Sequence, residues 1–196
     1  MDYSSSLDRA FGIDEQSGWL REVAHVPSPN ADERPPGCLP TLIVVHGISL
    51  PPGEFGGPWI DRLFTNCLPS GAHEYFATIQ ALRVSAHALI RRDGEVRQYV
   101  PFTARAWHAG QSSWCGRASC NDFSIDIELE SADEIPYTDA QYTRLAELVV
   151  ALRRTYASLR EAEVVGHEHI APGRKTDPGP AFDWNRLKCA LDAGEG

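Results

Sequence analysis

Little in this sequence is long, apolar and uninterrupted. No stretch approaches the ~18 consecutive apolar residues of a bilayer-spanning helix, so no membrane partner is expected. The N-terminus, MDYSSSLDRAFGIDEQSGWL, has no basic patch followed by an apolar segment, and no secretory signal is read there. Positive charge is scarce: 18 Lys and Arg against 27 Asp and Glu leave a formal net charge of −9. Nucleic-acid binders carry a basic face, so that class is set aside. Cysteine is sparse, odd in number and irregularly spaced, at Cys38, Cys67, Cys115, Cys120 and Cys189. That fits neither a disulfide framework nor a paired-cysteine zinc site. With no signal, it points to the reducing cytoplasm. What remains is a chain of 196 residues, 42% hydrophobic, long enough for one domain with a full core.

The polar residues that can carry chemistry gather near the C-terminus, in GHEHIAPGRKTDPGPAFDW from Gly166 to Trp184. Pro172, Pro178 and Pro180 restrict φ and remove backbone donors, so this is a stiffened loop and no helix interior. It holds His167, His169, Lys175, Asp177 and Asp183. Far upstream, Thr41–His46 (TLIVVH) is a short β-branched run between Pro40 and Gly47, the pattern of a buried central strand that ends on His46.

The rest of the chain supplies a frame for these two segments. Residues 1 to about 40 are polar and proline-punctuated, an irregular leader. Pro58–Thr65 reads as a short helix begun by proline. Asp93-Gly94 between two strand-like runs predicts a hairpin within Val84–Tyr99, with His87 as a structural histidine. In Phe123–Leu129, Ile125, Ile127 and Leu129 alternate with Ser124, Asp126 and Glu128. Thr138 and Gln141 form a capping-box pattern for a helix to Leu159 whose apolar residues recur every three or four positions. Val164–His167 reads as a brief strand delivering His167, and Asp183 as the cap of a last helix through Leu191. Strands interspersed with helices, one hairpin among them, predict a single α/β domain with a mixed sheet flanked by helices.

Two histidines and a carboxylate make a three-ligand set that leaves zinc a fourth position for water. His46, either His167 or His169, and Asp177 or Asp183 are the candidates. Glu128 can serve as the base if its strand lies beside Thr41–His46, and Lys175 supplies a cation for a developing oxyanion. Trp107 and His108, adjacent in a loop, can stack on a sugar, cap a pocket or anchor the loop.

The stretches LIVVHGISLPPGEFGGPWID, RVSAHALIRRDGEVRQYVPF, RAWHAG, CNDFSIDIELE and the GHEHIAPGRKTDPG run together resemble the zinc-dependent N-acetylmuramoyl-L-alanine amidases, from about residue 18 to 190. The likeness is to those members that work in cytosolic peptidoglycan recycling. It implies the fold of peptidoglycan-recognition proteins and phage amidase lysozymes, and one Zn2+ per chain on His46, His167 and Asp177. It also implies Glu128 as general acid and base, Lys175 as the carbonyl-polarising cation, and Arg83, Trp107, His108 and Arg117 near the substrate. The expected substrate is an anhydro-muramyl peptide, cut between lactyl group and L-alanine by a cytoplasmic monomer. An N-terminal extension (1–17, expected to be mobile), an amidase domain (18–190) and a tail (191–196) are the expected divisions. Three residues depart from the family pattern: Gly47 for Asn, Ser119 for Arg, and Asp126 for Gly. Asp126 is expected either to raise the pKa of Glu128 or to sit solvated at a bulge. A broad cell-wall amidase and a non-catalytic muropeptide-binding module remain the competing expectations.

Overall fold

A computed structural model of the chain describes residues 11–195. The elements run β1 (Ala24–His25), β2 (Ala31–Asp32), β3 (Leu42–Ile48), α1 (Trp59–Phe64), α2 (Glu74–Ile79), β4 (Ala88–Ile90) and β5 (Val96–Gln98). There follow β6 (Arg105–Ala106), β7 (Ser113–Trp114), β8 (Arg117–Ala118), β9 (Ser124–Glu130), α3 (Asp139–Thr155), β10 (Glu163–Gly166), α4 (His167–Ile170) and α5 (Trp184–Glu195). Among the described residues the main sheet has six strands in the order β1-β5-β4-β9-β3-β10. Only the β4–β5 pair is antiparallel. That pair is the hairpin expected at Asp93-Gly94, where Gly94 takes φ +89° without the penalty a side chain would add. The α/β fold with a mixed sheet is the one expected.

Both faces of β3 and of β9 are covered, and β3 reads as an apolar run while β9 alternates apolar with polar side chains. Ile43, Val45, Ile125, Ile127 and Leu129 join Leu145, Leu148, Val149 and Leu152 of α3 in one core cluster. The capping box that starts α3 is formed in full: the Thr138 side chain accepts from Gln141 N, and Gln141 answers to Thr138 N. A second cluster beneath α1 and α2 joins Leu50, Leu63, Phe64 and Phe76 to Tyr99. All five cysteines are free.

Both described ends of the chain pack onto the domain. The first ten residues lie outside the described residues. Residues 11–17 of the expected extension pack onto the domain: Ile13 bridges Leu20, Phe11 leans on the core, and Arg144 covers its ring. At the other end α5 runs on to Glu195, so the residues read as a tail are the last turns of a helix that Asp183 caps through Arg186 N at 2.9 Å. The turns persist because Leu187 and Leu191 are buried in the core cluster beside α3.

Candidate active site

Parallel pairing of β3 with β9 sets His46 opposite Glu128. The adjacency raised as a condition in the sequence therefore holds, with His46 Nδ1 4.0 Å from Glu128 Oε1. On the other side of β3, β10 ends at Gly166 and delivers His167 at the start of α4. The following loop returns, closed by the Glu168 N–H donating to Asp177 O at 2.9 Å, and brings Asp177 back to both histidines. Asp177 Oδ2 lies 3.2 Å from His46 Nδ1 and 3.1 Å from His167 Nδ1. Of the alternatives left open by spacing, Asp183 is taken up as a helix cap, while His169 receives the Gly166 N–H at 2.8 Å and packs against Trp184.

Electrostatics inside the cluster are strongly coupled. Burial of Glu128 raises its carboxyl pKa to about 8, with the Asp177 and Asp126 charges adding to the rise against His46 and Lys175. Burial opposes charge on His46, but Glu128 and Asp177 outweigh it and hold the imidazole up at about 9. His167 is pushed down, chiefly by burial, with His46 and Lys175 adding to the fall against Asp177. Asp177 resists its own burial through bonds to His167 and His46 and stays well below the usual carboxylate range. Buried Glu128 Oε2 and His167 Nε2 have no hydrogen-bond partner. Orphaned polar atoms of this kind are costly and collect where a ligand or chemistry completes them.

The donor set fits zinc. Two imidazole nitrogens and one carboxylate oxygen lie within 4.8 Å of one another, three protein ligands of the types zinc prefers, with a fourth position left over. The cluster opens into a cleft of about 450 Å³ whose walls include His46, His108, Glu128, His167, Lys175 and Leu82. A larger hollow of about 810 Å³, between Phe11, Arg21, Glu95 and Arg144, contains none of these groups. Chemistry, and not size, selects the smaller one.

The expected substrate contacts divide. His108 lines the cleft, but its side chain is 1% exposed and its ring nitrogens are 2.9 Å from His46 Nε2 and 2.8 Å from Ser124 Oγ. Arg83 is exposed next to the cleft residues Leu82 and Val84 and donates to carbonyls of its own segment, Gln80 O and Leu82 O. Trp107 and Arg117 are not among the cleft walls. Trp107 Nε1 donates to Asp32 at 3.1 Å, which makes it a loop anchor, and Arg117 lies over the Phe123 ring and donates to Cys38 Sγ at 2.9 Å.

The three departures also find their places. Asp126 sits at no bulge: the β4–β9 register pairs Ala88 with Ile127 and so puts His87 beside Asp126, and the two side chains bond directly. Its charge does help to raise Glu128. Ser119 opens a tight turn at φ +62°. A Cβ at Gly47 would come within 2.6 Å of Tyr137 Oη, and that hydroxyl donates to Pro178 O at 2.9 Å beside Asp177. Tyr137 braces the ligand loop, a role that nothing in its local sequence announced.

Paired imidazoles, a third ligand and a raised carboxylic acid on this sheet define a class that comparison with known proteins names. Residues 35–180 match the family Amidase_2, N-acetylmuramoyl-L-alanine amidase, and the chain belongs to that family. Within it, the chain is 61% identical over 174 residues to the 1,6-anhydro-N-acetylmuramyl-L-alanine amidase AmpD of Citrobacter freundii, covering 89% of this chain and 92% of that protein. It superposes on the crystal structure of a Se-Met AmpD derivative with a TM-score of 0.88 at 59% identity, over 92% of this chain and 99% of that one. AmpDh3 from Pseudomonas aeruginosa, solved in complex with anhydromuramic pentapeptide, is 28% identical with a TM-score of 0.53, over 77% of this chain and 59% of that one. No helix among the described residues is long and apolar enough to cross a membrane.

Proposed function

We propose that this chain hydrolyses the amide bond between the lactyl group of anhydro-N-acetylmuramic acid and L-alanine of the stem peptide. It does so as a cytoplasmic monomer with one zinc ion held by His46, His167 and Asp177. The observation that carries the reading is the convergence of those three ligand atoms, with Glu128 in register across from His46. The similarity to AmpD, and the anhydromuramic pentapeptide bound by AmpDh3, support the substrate class.

Zinc bound here supplies Lewis acidity, lowering the pKa of water it binds from ~15.7 towards ~7 and polarising a carbonyl oxygen. The chain's own groups handle the protons. Glu128, with a pKa near 8 before any cation is added, is poised close to working pH. Ionised, it takes the proton of the water that attacks the carbonyl carbon. As the C–N bond breaks, it delivers that proton to the nitrogen of L-alanine, which leaves as a neutral amine. Lys175, on the cleft wall, steadies the negative oxygen of the tetrahedral intermediate. The products are the sugar's lactyl carboxylate and a free peptide.

Hydrolysis of anhydro-muramyl tripeptide, with and without a chelator and then with zinc restored, tests this reading. Chelator-sensitive release of free peptide that zinc restores is the expected result. Tight binding of the muropeptide with no product from the zinc-loaded protein would leave a binding module instead. Efficient cleavage of intact sacculi would shift the substrate to polymeric cell wall.

A further inference from the structure

We infer that His108 is a positioning residue for the metal ligand His46, and not a substrate contact. The inference rests on the zinc site proposed above. His46 turns Nδ1 to the cluster, 3.2 Å from Asp177 Oδ2. A ring nitrogen holds a cation only with its lone pair free, so the His46 proton belongs on Nε2. That atom lies 2.9 Å from His108 Nδ1, with the two rings edge to face at 86°. His108 Nδ1 is then the acceptor, and its own proton sits on Nε2, 2.8 Å from Ser124 Oγ. Ser124 Oγ in turn donates to Cys120 O at 2.7 Å. One protonation pattern satisfies every link: His46 donates to His108, His108 to Ser124, and Ser124 to the backbone.

The surroundings fit a structural brace. The His108 backbone is pinned by Asn121 Oδ1, which accepts from His108 N at 3.3 Å and from Ala109 N at 2.8 Å. Its buried ring has little surface to offer a substrate. Asp126 Oδ1, 3.8 Å from His108 Nε2, is too far for a hydrogen bond but places a negative charge behind the ring. A charge there favours electron density on His46 and so strengthens it as a ligand, the usual effect of outer partners on metal-bound imidazole. His167 offers the contrast: its Nε2 is buried with no partner. One histidine ligand is oriented from behind and the other is not.

His46, His108 and Asp126 also lie close enough together to be considered as a cation site of their own. The nitrogens of His46 and His108 that face each other are at hydrogen-bond length, and the chain through Ser124 accounts for them. A second equivalent of zinc that disappears in His108→Ala would overturn the inference.

The test is zinc affinity by competition with a chromophoric chelator, on the whole chain, for wild type, His108→Ala, His108→Asn and Ser124→Ala. An asparagine amide oxygen can stand where Nδ1 accepts. His108→Ala is expected to bind zinc about 10–100-fold more weakly. His108→Asn should recover most of that affinity, and Ser124→Ala should show a smaller loss in the same direction. KM should barely change, and excess zinc should restore kcat. Unchanged zinc affinity with a raised KM would make His108 a substrate contact and overturn the inference. Should His108→Ala fail to fold, the imidazole tautomer in zinc-loaded wild type decides, read from long-range 1H–15N couplings. The Nε2–H form of His108 is expected, and the Nδ1–H form would overturn the inference. A wild-type chain that binds no zinc would instead sink the proposed function itself.

Discussion

The two faces of β9 are equally buried and chemically opposite. On one, Ile125, Ile127 and Leu129 are fully covered by the core beneath α3. On the other, Ser124 and Asp126 are as completely covered, and Glu128 is only 8% exposed. Burial of the first face is favourable by about 25 cal/mol for each Å² of apolar surface removed from water. Burial of the second is unfavourable unless each group finds a partner. Ser124 finds His108 and Asp126 finds His87 through Oδ1, but Asp126 Oδ2 and Glu128 Oε2 are both buried without a partner. Along this face partners change residue by residue: Glu130 accepts from Gly56 N and Arg91, whereas Glu128 stands opposite His46 with its Oε1 4.0 Å from Nδ1. How hidden a residue is says little about its role here. What it is bonded to says a great deal.

The sharpest way to break this contrast is at the ligands the polar face looks onto. Asp177→Ala is expected to abolish both zinc binding and turnover while the circular dichroism spectrum is kept, because the β9 core does not touch it. Full activity in that variant would end the ligand assignment. Next in size, Glu128→Gln should keep zinc and lose about 10²–10⁴-fold in kcat, the span of a positioned acid–base group. A loss confined to KM would deny it that role.

Asp126→Asn probes the partnered middle of the polar face and should act on stability, by on the order of 3 kcal/mol at neutral pH. Burial opposes the charge of Asp126, but the histidines around it, His108 and His87 first, hold its pKa below the ordinary 3.8. A depressed folded-state value stabilises the fold above 3.8, and that stabilisation is lost as pH falls from there through the folded value. The gap in melting temperature between wild type and Asp126→Asn should therefore narrow below about pH 3.8. A gap that stays constant down to pH 2.5, about as low as melts are practical, would show that the charge is not what Asp126 contributes. The smallest effect belongs to the apolar face. Ile127→Val should cost about 0.5–1.5 kcal/mol in denaturant unfolding, with kcat unchanged in the folded protein. A change in kcat would mean that the two faces are not independent.

Much of this was legible in the chain because it is local. Alternation marks β9, proline and glycine mark the ligand loop, and the capping box marks the start of α3. The conditional link between Glu128 and His46 was as far as local pattern reaches. The position of β9 between β3 and β4 depends on pairing across 82 and 39 residues, which periodicity does not encode. The same limit explains Trp107 and Arg117, whose side chains turn to Asp32 and to Cys38 and Phe123, partners brought by the fold. Tyr137 was invisible for this reason too. Its importance lies in touching Gly47 and Pro178, neither of them near it in sequence.

The bond that ties Glu168 N to Asp177 O joins the two ends of the ligand loop. As the proposed ligands, His167 and Asp177 would meet a cation as a preformed pair, with loop-closure entropy already spent in folding. Their local concentration toward each other is fixed by the fold, as in a bivalent binder with a short, matched linker. On that assignment, the His46 imidazole on β3 would be the one protein donor left to complete the set.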